Sequence, residues 1–341
     1  MQAEFEIIAN DKNVTALFKD RLLSLSITDK PGLEADSCEI RLDDRGGKIA
    51  IPPKGALLKV SLGWSGQGLS YMGCYKVDEV ALEGPPAVIT IRAKGADMRQ
   101  SAKSTRSQGY ENQSLAAIVA ELAQRHGWQP VCKVEAQIAR ADQLGESDLH
   151  FITRLARAHG ATATVKDGKL LVLPRGGGQS ASGQAMPALT LMPYMLSRYS
   201  LTFADRSAFG KVQAKAHDPA SGKQIDVDIP NPDGAPGGEG EGEGATHIDR
   251  HVYPTPDAAK AAAQARLSAL NRATASGSLT MPGRADIAAE KTVRLQGVKP
   301  EADGDYLVES VTHSFNNSGW QTTAEINAGN SGKSKAGFGK P

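Results

Sequence analysis

The most regular feature of the chain is a period-two alternation of apolar and polar side chains. Leu23, Leu25 and Ile27 interleave with Ser24, Ser26 and Thr28, which places the apolar groups on one face of an extended strand. The pattern recurs in Cys38-Ile40-Leu42, Leu58-Val60-Leu62, Tyr71 to Val80 and Ala87-Ile89-Ile91-Ala93. Turn chemistry separates these runs at Lys30-Pro31-Gly32, Asp44-Arg45-Gly46-Gly47, Pro52-Pro53-Lys54-Gly55, Gly66-Gln67-Gly68 and Gly84-Pro85-Pro86. With Phe5 to Ile8 as a first strand, about six short strands fill the first ~95 residues, the signature of a small antiparallel barrel or sandwich. Only Asn13 to Phe18 offers a helix there. Cys38, alternating with Ile40 and Leu42, reads as a buried small apolar residue.

Between Asn112 and Pro174 the period changes. Ser114 is placed to cap a helix that carries Leu115, Ile118, Val119 and Leu122 on one face, and Gly127 stands where the left-handed terminating residue belongs. A second helix repeats the design, from Ser147 through Leu149, Ile152, Leu155 and Ala156 to Gly160. Val131 to Val134 reads as a strand between them, and Thr162–Val165, Asp167-Gly168 and Leu170–Leu173 as a tight hairpin. The hairpin is available to cover the two leucine stripes, so the stripes predict a core rather than a docking face for a partner helix.

Beyond a Gly/Ser-rich stretch from Pro174 to Gly183, strand patterns return at Arg198–Phe203, Lys211–Ala216 and Gln224–Ile229, the last two joined by a loop through Asp218-Pro219-Ala220-Ser221-Gly222-Lys223. Thr255-Pro256-Asp257 is a helix start leading into an alanine-rich segment that ends at Asn271. Ser278–Thr280, Thr292–Leu295, Tyr306–Ser314 and Trp320–Ile326 add strands. The expected fold class is therefore mainly β with an α/β insert: two small antiparallel β-barrel domains flanking a helix-strand-helix-hairpin domain. The boundaries read as a first barrel over 1–109, the insert over 110–174 and a flexible linker over 175–188. A second barrel follows over 189–328, with an acidic Gly/Glu loop at 231–246 and a helix at 257–271, and then a flexible tail over 329–341. The insert is expected to fold as a unit on the outside of an assembly.

Composition narrows the function. The 341 residues hold 39 Lys+Arg against 38 Asp+Glu, a net charge of +1 that argues against sequence-independent duplex binding as the main task. Cys38, Cys74 and Cys132 are three scattered cysteines without a C-x-x-C pair, so a reducing compartment and no redox or zinc chemistry are expected. The start Met1-Gln2-Ala3-Glu4-Phe5-Glu6 lacks the basic and apolar regions of a leader, and no apolar run approaches the ~18 residues of a membrane span. A soluble, intracellularly made protein is expected.

Candidate chemistry is thin. His247-Ile248-Asp249-Arg250-His251 has the i, i+4 spacing of a helical zinc site, but Ile248 occupies the catalytic acid position and Pro254 and Pro256 limit any helix. Gly238-Glu239-Gly240-Glu241-Gly242 sets glutamates where a dinucleotide would need to approach, and Gly332-Lys333-Ser334 has Asn327 in place of the first P-loop glycine. His126, His150 and His159 share the insert with Asp142, Glu146 and Asp148. His126 and His159 fall in the last turns of the two helices and the acids at the start of the second, so capping and dipole roles are favoured over acid/base catalysis. No G-x-S-x-G elbow occurs. No catalytic, cofactor-binding or metal-binding residue is assigned.

Read in order, several segments resemble the bacteriophage late control gene D protein family, the baseplate hub of contractile tails. They are Ala35-Asp36-Ser37-Cys38-Glu39-Ile40-Arg41-Leu42, Pro52-Pro53-Lys54-Gly55 before Leu58–Gly63, and Tyr71-Met72-Gly73-Cys74-Tyr75-Lys76-Val77-Asp78-Glu79-Val80. Gly145–Ala156, Ala216-His217-Asp218 with Gly222-Lys223, and Gly304–His313 follow in the same order, so the likeness spans residues 1 to 328. The resemblance implies a non-enzymatic virion protein of the tail baseplate, assembled in the bacterial cytoplasm and related to the N-terminal half of type VI secretion spike proteins. It implies a homotrimeric ring whose six barrels adapt a sixfold tail tube to a threefold spike. The implied partners are the tail spike protein, the tail tube and tape-measure proteins and the baseplate wedge proteins, with DNA only as passing cargo, no membrane insertion and no cofactor. Two other functions compete. A tail-associated cell-wall hydrolase would use Glu146 or Asp148 as general acid. A carbohydrate-binding host-attachment module would need an aromatic platform, for which Trp64, Trp128 and Trp320 are far apart in sequence.

Overall fold

Side-chain alternation builds the first half of the protein. In this computed structural model, which describes residues 2–32, 36–95, 104–166, 168–178, 186–204, 208–218, 222–231 and 245–333, it begins with β1 (Ala3–Ala9), β2 (Lys12–Asn13) and a short α1 (Thr15–Phe18). β3 (Leu22–Asp29), β4 (Ser37–Asp43), β5 (Leu57–Trp64), β6 (Gly68–Glu83) and β7 (Val88–Gly95) complete it. The strands pair antiparallel in the order β3-β4-β7-β6-β5-β1-β2. Leu25, Ile27, Cys38, Ile40, Leu42, Leu58, Val60 and Leu62 all point into one core. Leu23 departs from the expected alternation. A register shift between Leu22 and Ser24 turns Leu22 inward and leaves Leu23 on the surface.

The insert has two layers. β8 (Thr105–Ser114) and β10 (Gln137–Ser147) form an antiparallel ribbon that the polar sequence did not announce. α2 (Leu115–His126) and α3 (Asp148–Ala158) pack with β9 (Gln129–Cys132), β11 (Ala161–Lys166) and β12 (Lys169–Pro174), where β12 pairs antiparallel with β11 and parallel with β9. Both helix starts are capped as expected: Ser114 Oγ accepts the Ala117 N–H at 3.1 Å and Ser147 Oγ the His150 N–H at 3.2 Å. Gly127 takes the left-handed conformation, φ +65°, that ends α2. Leu115, Ile118, Val119 and Leu122 are buried, and the apolar core of the insert is drawn wholly from residues within it.

The second half supplies β13 (Leu189–Leu191), β14 (Arg198–Phe203), β15 (Lys211–Asp218), β16 (Lys223–Pro230), β17 (Thr246–Tyr253) and α4 (Pro256–Arg272). β18 (Ala275–Pro282), β19 (Thr292–Leu295), β20 (Gly304–Asn316) and β21 (Gly319–Asn327) follow. Thr255 Oγ1 accepts the Ala258 N–H at 3.2 Å and starts α4 where the sequence placed it. Its Ala259, Ala263 and Leu267 lie on Val212, Ala214 and Ala216 of the three-stranded sheet β16-β15-β17.

Two closed barrels were expected, and among the described residues neither closes. β3 spends one edge on β4 and the other on β20, antiparallel from Asp29 opposite Val311 to Ser24 opposite Asn316. The strand that would have closed the first ring is thus committed across the boundary. One sheet runs unbroken as β14-β18-β21-β20-β3-β4-β7-β6-β5-β1-β2, with β19 and β13 branching from β20.

Arg175 to Gly178, the start of the expected linker, is held in place. Arg175 reaches Glu309 at 3.4 Å and Glu290 at 3.7 Å, and Glu290 also accepts the Gly176 N–H at 2.7 Å. In the expected tail, the Lys333 N–H donates to Thr274 and its ammonium lies 4.2 Å from the Tyr306 ring centre. Residues 179–185 of the linker, 232–244 of the Gly/Glu loop and 334–341 of the tail lie outside the described residues.

Candidate functional site

The long sheet has one face in the cores and one in solvent, and the solvent face is unusual in composition. Because directly paired residues share a face, the register gives its rows. Arg198, Thr280, Thr323, Thr312, Thr28, Ser37 and Lys94 stand opposite one another across seven successive strands, β14 to β7. Ser200, Ser278, Glu325 and Ser310 form the row on one side, and Gln321, Ser314, Ser26, Glu39 and Arg92 the row on the other. Short hydroxyl side chains dominate the middle, with Thr28 and Thr312 Oγ1 atoms 3.4 Å apart and those of Thr280 and Thr323 3.3 Å apart. Several basic groups toward the first half sit against acids: Arg92 with Glu39 at 2.9 Å and Glu79 at 2.7 Å, Lys94 with Asp78 at 3.1 Å, and Arg41 with Glu83 at 3.7 Å. The result is a broad, hydrated surface with its charge largely paired.

The histidines and acids singled out in the insert fall into two groups. His126 and Asp148 meet at 2.8 Å, both buried, and Asp148 also accepts from Gln143 at 2.9 Å and faces Arg125 and Arg106 at 3.4 Å each. This network ties the end of α2 to the start of α3. Glu146 is half-buried beneath Arg154 and His150, each 2.5 Å away. Burial pushes the Glu146 carboxyl up, but the hydrogen bonds from Arg154 and His150 outweigh it and hold the group below the usual carboxylate range. That is the wrong poise for a general acid, which must keep its proton near neutrality. His159 stands at the end of α3 as expected, yet burial lowers its pKa and favours the neutral ring over the dipole-stabilised cation. Asp142 pairs with Arg140 at 3.0 Å on the surface.

His247 and His251 lie on strand β17 rather than a helix, where four residues of extended chain span roughly 13 Å, too far for a shared ion. His247 Nε2 accepts from Arg266 at 3.0 Å and His251 packs on Tyr253. Among the described residues no three His, Cys, Asp or Glu side chains are placed to hold a metal. Burial pushes the Cys38 thiol up to about 12, so it is inert at neutral pH. No helix among the described residues is long and apolar enough to cross a membrane.

Trp64 and Trp320, far apart in sequence, come together at 5.9 Å between ring centres. Trp320 is buried, and Trp64 Nε1 donates to the Gly283 carbonyl at 2.8 Å. Gly283 lies so flat against the Trp320 indole that a Cβ there would come within 2.0 Å of the ring. The pair is a bolt between the two halves. Trp128 lies in the insert core against His126.

Residues 76–319 match the family described as phage tail baseplate hub (GPD). The chain is 35% identical to a probable baseplate hub protein of Escherichia phage 186 over 94% of its own length and 92% of that protein's. It is 34% identical to the corresponding protein of Escherichia phage P2, over 95% and 92%. The chain belongs to the phage tail baseplate hub family. The hub fold is also that of a prophage MuSo2 43 kDa tail protein from Shewanella oneidensis, with TM-score 0.68, 16% identity and coverage of 95% of this chain and 98% of that one. A component of the E. coli type VI secretion system shares it with TM-score 0.56 and 14% identity, over 90% of this chain and 73% of that chain. As a member of the hub family the protein is a structural component of the tail baseplate, in line with an insert whose acids and histidines are engaged with one another.

Proposed function

We propose that this hub protein assembles as a homotrimeric ring that adapts the sixfold tail tube to the threefold central spike and lets DNA pass through its centre. The observation that carries the reading is the single sheet that joins both halves and ends in strands with edges to fill. Among the described residues β14 pairs only with β18, and at the far end β2 covers β1 only at Ile8 and Ala9. Unfilled edges template further pairing, and a head-to-tail contact between unlike ends closes into a ring or runs on as a filament. Three protomers of two halves each give six sheet units around one axis. The hydroxyl-rich face is the fitting lining, because paired charges and short hydroxyls give phosphates little to hold. The spike, tube, tape-measure and wedge proteins are the partners in this reading, reached after assembly in the host cytoplasm. The insert stays outside the ring as its own folding unit, between the two sheet halves.

The protein acts here without catalysis: the Glu146 carboxyl is held below the usual carboxylate range by Arg154 and His150, and Asp148 is buried and engaged with His126, Gln143, Arg125 and Arg106. Mass photometry of the purified chain is expected to give three times the 35.9 kDa protomer mass. Tyr199, on the β14 edge and 45% exposed, is expected to lie in the contact. Tyr199→Asp should shift the species to monomer with unchanged circular dichroism, whereas wild-type monomer at micromolar concentration would contradict the ring.

A further inference from the structure

The insert keeps its own apolar core, so what fixes it against the sheet is a separate question. At the seam, Lys166 at the end of β11 places its ammonium 2.8 Å from Asp29, the last residue of β3, and 3.2 Å from Asp36, which precedes β4. The second half joins the same cluster, because Asp29 also accepts the Ala289 N–H at 2.8 Å, while Asp36 accepts the Lys30 N–H at 3.2 Å. Three parts of the fold thus converge on one ammonium and two carboxylates.

Among the described residues, packing at this seam leaves a gap. A cavity of about 180 Å³ lies beside the cluster, walled by Pro31 of the first half, Leu171 and Leu173 of the insert and Ala288 of the second half. An interface with such a void forfeits dispersion contacts, and the ion cluster carries correspondingly more of the attachment. We propose that Asp29, Lys166 and Asp36 form a proton-tuned latch, which fastens the insert to the sheet more firmly at mildly acidic pH than at alkaline pH.

The sign follows from the charges. Two half-buried carboxylates share one ammonium, so the fastened cluster carries one surplus negative charge until a carboxyl takes a proton. Burial alone would push Asp29 up, but Lys166, the Ala289 N–H and Asp36 hold it below the usual range, so it stays ionised. Burial pushes Asp36 up to about 6, with the Asp29 charge adding to it against the pull of Lys166. Lys166 remains protonated, because the two carboxylates outweigh its burial. The other groups facing the cluster do not reverse the sign. His313, near Asp29, is lowered by burial to about 4 and is neutral in this window. Tyr75 is raised, first by burial, and Glu290 on the cavity wall is also raised by burial, the same direction as Asp36. A carboxyl that binds its proton more tightly when fastened adds stability below its folded pKa and loses it as pH rises through that value.

The test is amide exchange of the full chain at pH 5 and pH 7.5, expressed as protection factors corrected for the intrinsic pH dependence. The amides of Lys30 and Ala289 report the latch, and that of Ile40 in β4 reports the sheet. The wild type is expected to open the latch roughly 10-fold more often at pH 7.5 than at pH 5, because pH 5 lies only one unit below the fastened Asp36 value of about 6. Asp36→Asn should keep both latch amides protected and flat across the two pH values. Lys166→Met should lose their protection at both, with Ile40 unchanged. Should Lys166→Met disturb Ile40 as well, Asp36→Asn alone decides. Latch protection that is flat or rising with pH in the wild type, or pH-dependent in Asp36→Asn as in the wild type, would overturn the proposal.

Discussion

Asp148 shows how one residue can look catalytic in sequence and structural in space. It is the first residue of α3 and is buried, with His126, Gln143, Arg125 and Arg106 around its two oxygens. Removing one member of such a group leaves charges stranded without a partner, and the measured scale of that loss is about 3 to 5 kcal/mol. Asp148→Ala is therefore expected to lower the unfolding free energy of the insert by that order, and its urea midpoint with it, read by urea titration of tryptophan fluorescence. An unchanged midpoint would mean that the network contributes nothing. The helix caps around it were legible from the sequence, because Ser114, Ser147 and Thr255 act on backbone N–H groups three residues away. The pairing of His126 with Asp148 was not, since it spans the ribbon and depends on how α2 and α3 pack.

At the level of elements, alternation identified the half-buried strands of the first half and failed where both faces are polar or the chain bulges. β8 (Thr105–Ser114) is mostly exposed and carries no apolar period, so its pairing with β10 left no trace in the pattern. β17 read as a candidate helical motif because His247 and His251 are four residues apart, yet its partner is β15, some thirty residues earlier in the chain. Alternation also contained the solvent face of the long sheet, as the serines and threonines between the core residues, but only the register shows that they align across strands. Their proposed role as a weakly interacting lining is open to a gain-of-function test. The double change Thr28→Lys and Thr312→Lys places two unpaired cations side by side on that face. It is expected to retard duplex DNA in a gel shift at low salt where the wild type does not, and to lose the effect as salt rises. Tight binding by the wild type at 200 mM salt would rule out the lining.

At the scale of the whole molecule, the sequence suggested two barrels, and among the described residues one continuous sheet runs through both halves instead. The difference lies in the pairing of β3 with β20, residues nearly three hundred positions apart, which no local pattern encodes. The four apolar clusters nevertheless remain separate, one in the insert, one in each half of the sheet and one under α4. Replacing residues 105–174 by a short Gly/Ser linker is expected to remove one calorimetric transition and leave that of the sheet within a few degrees. Cooperative loss of both halves would show that the insert is part of their fold.

In the proposed assembly three copies close head to tail with the hydroxyl face inward. Electron cryomicroscopy of the purified chain tests it most directly. The expected result is a threefold ring with six similar sheet units, β14 of one protomer beside β1 of the next, and Thr28, Thr312 and Thr323 facing the central hole. A dimer, an open filament, or a ring with this face turned to the outside would contradict it.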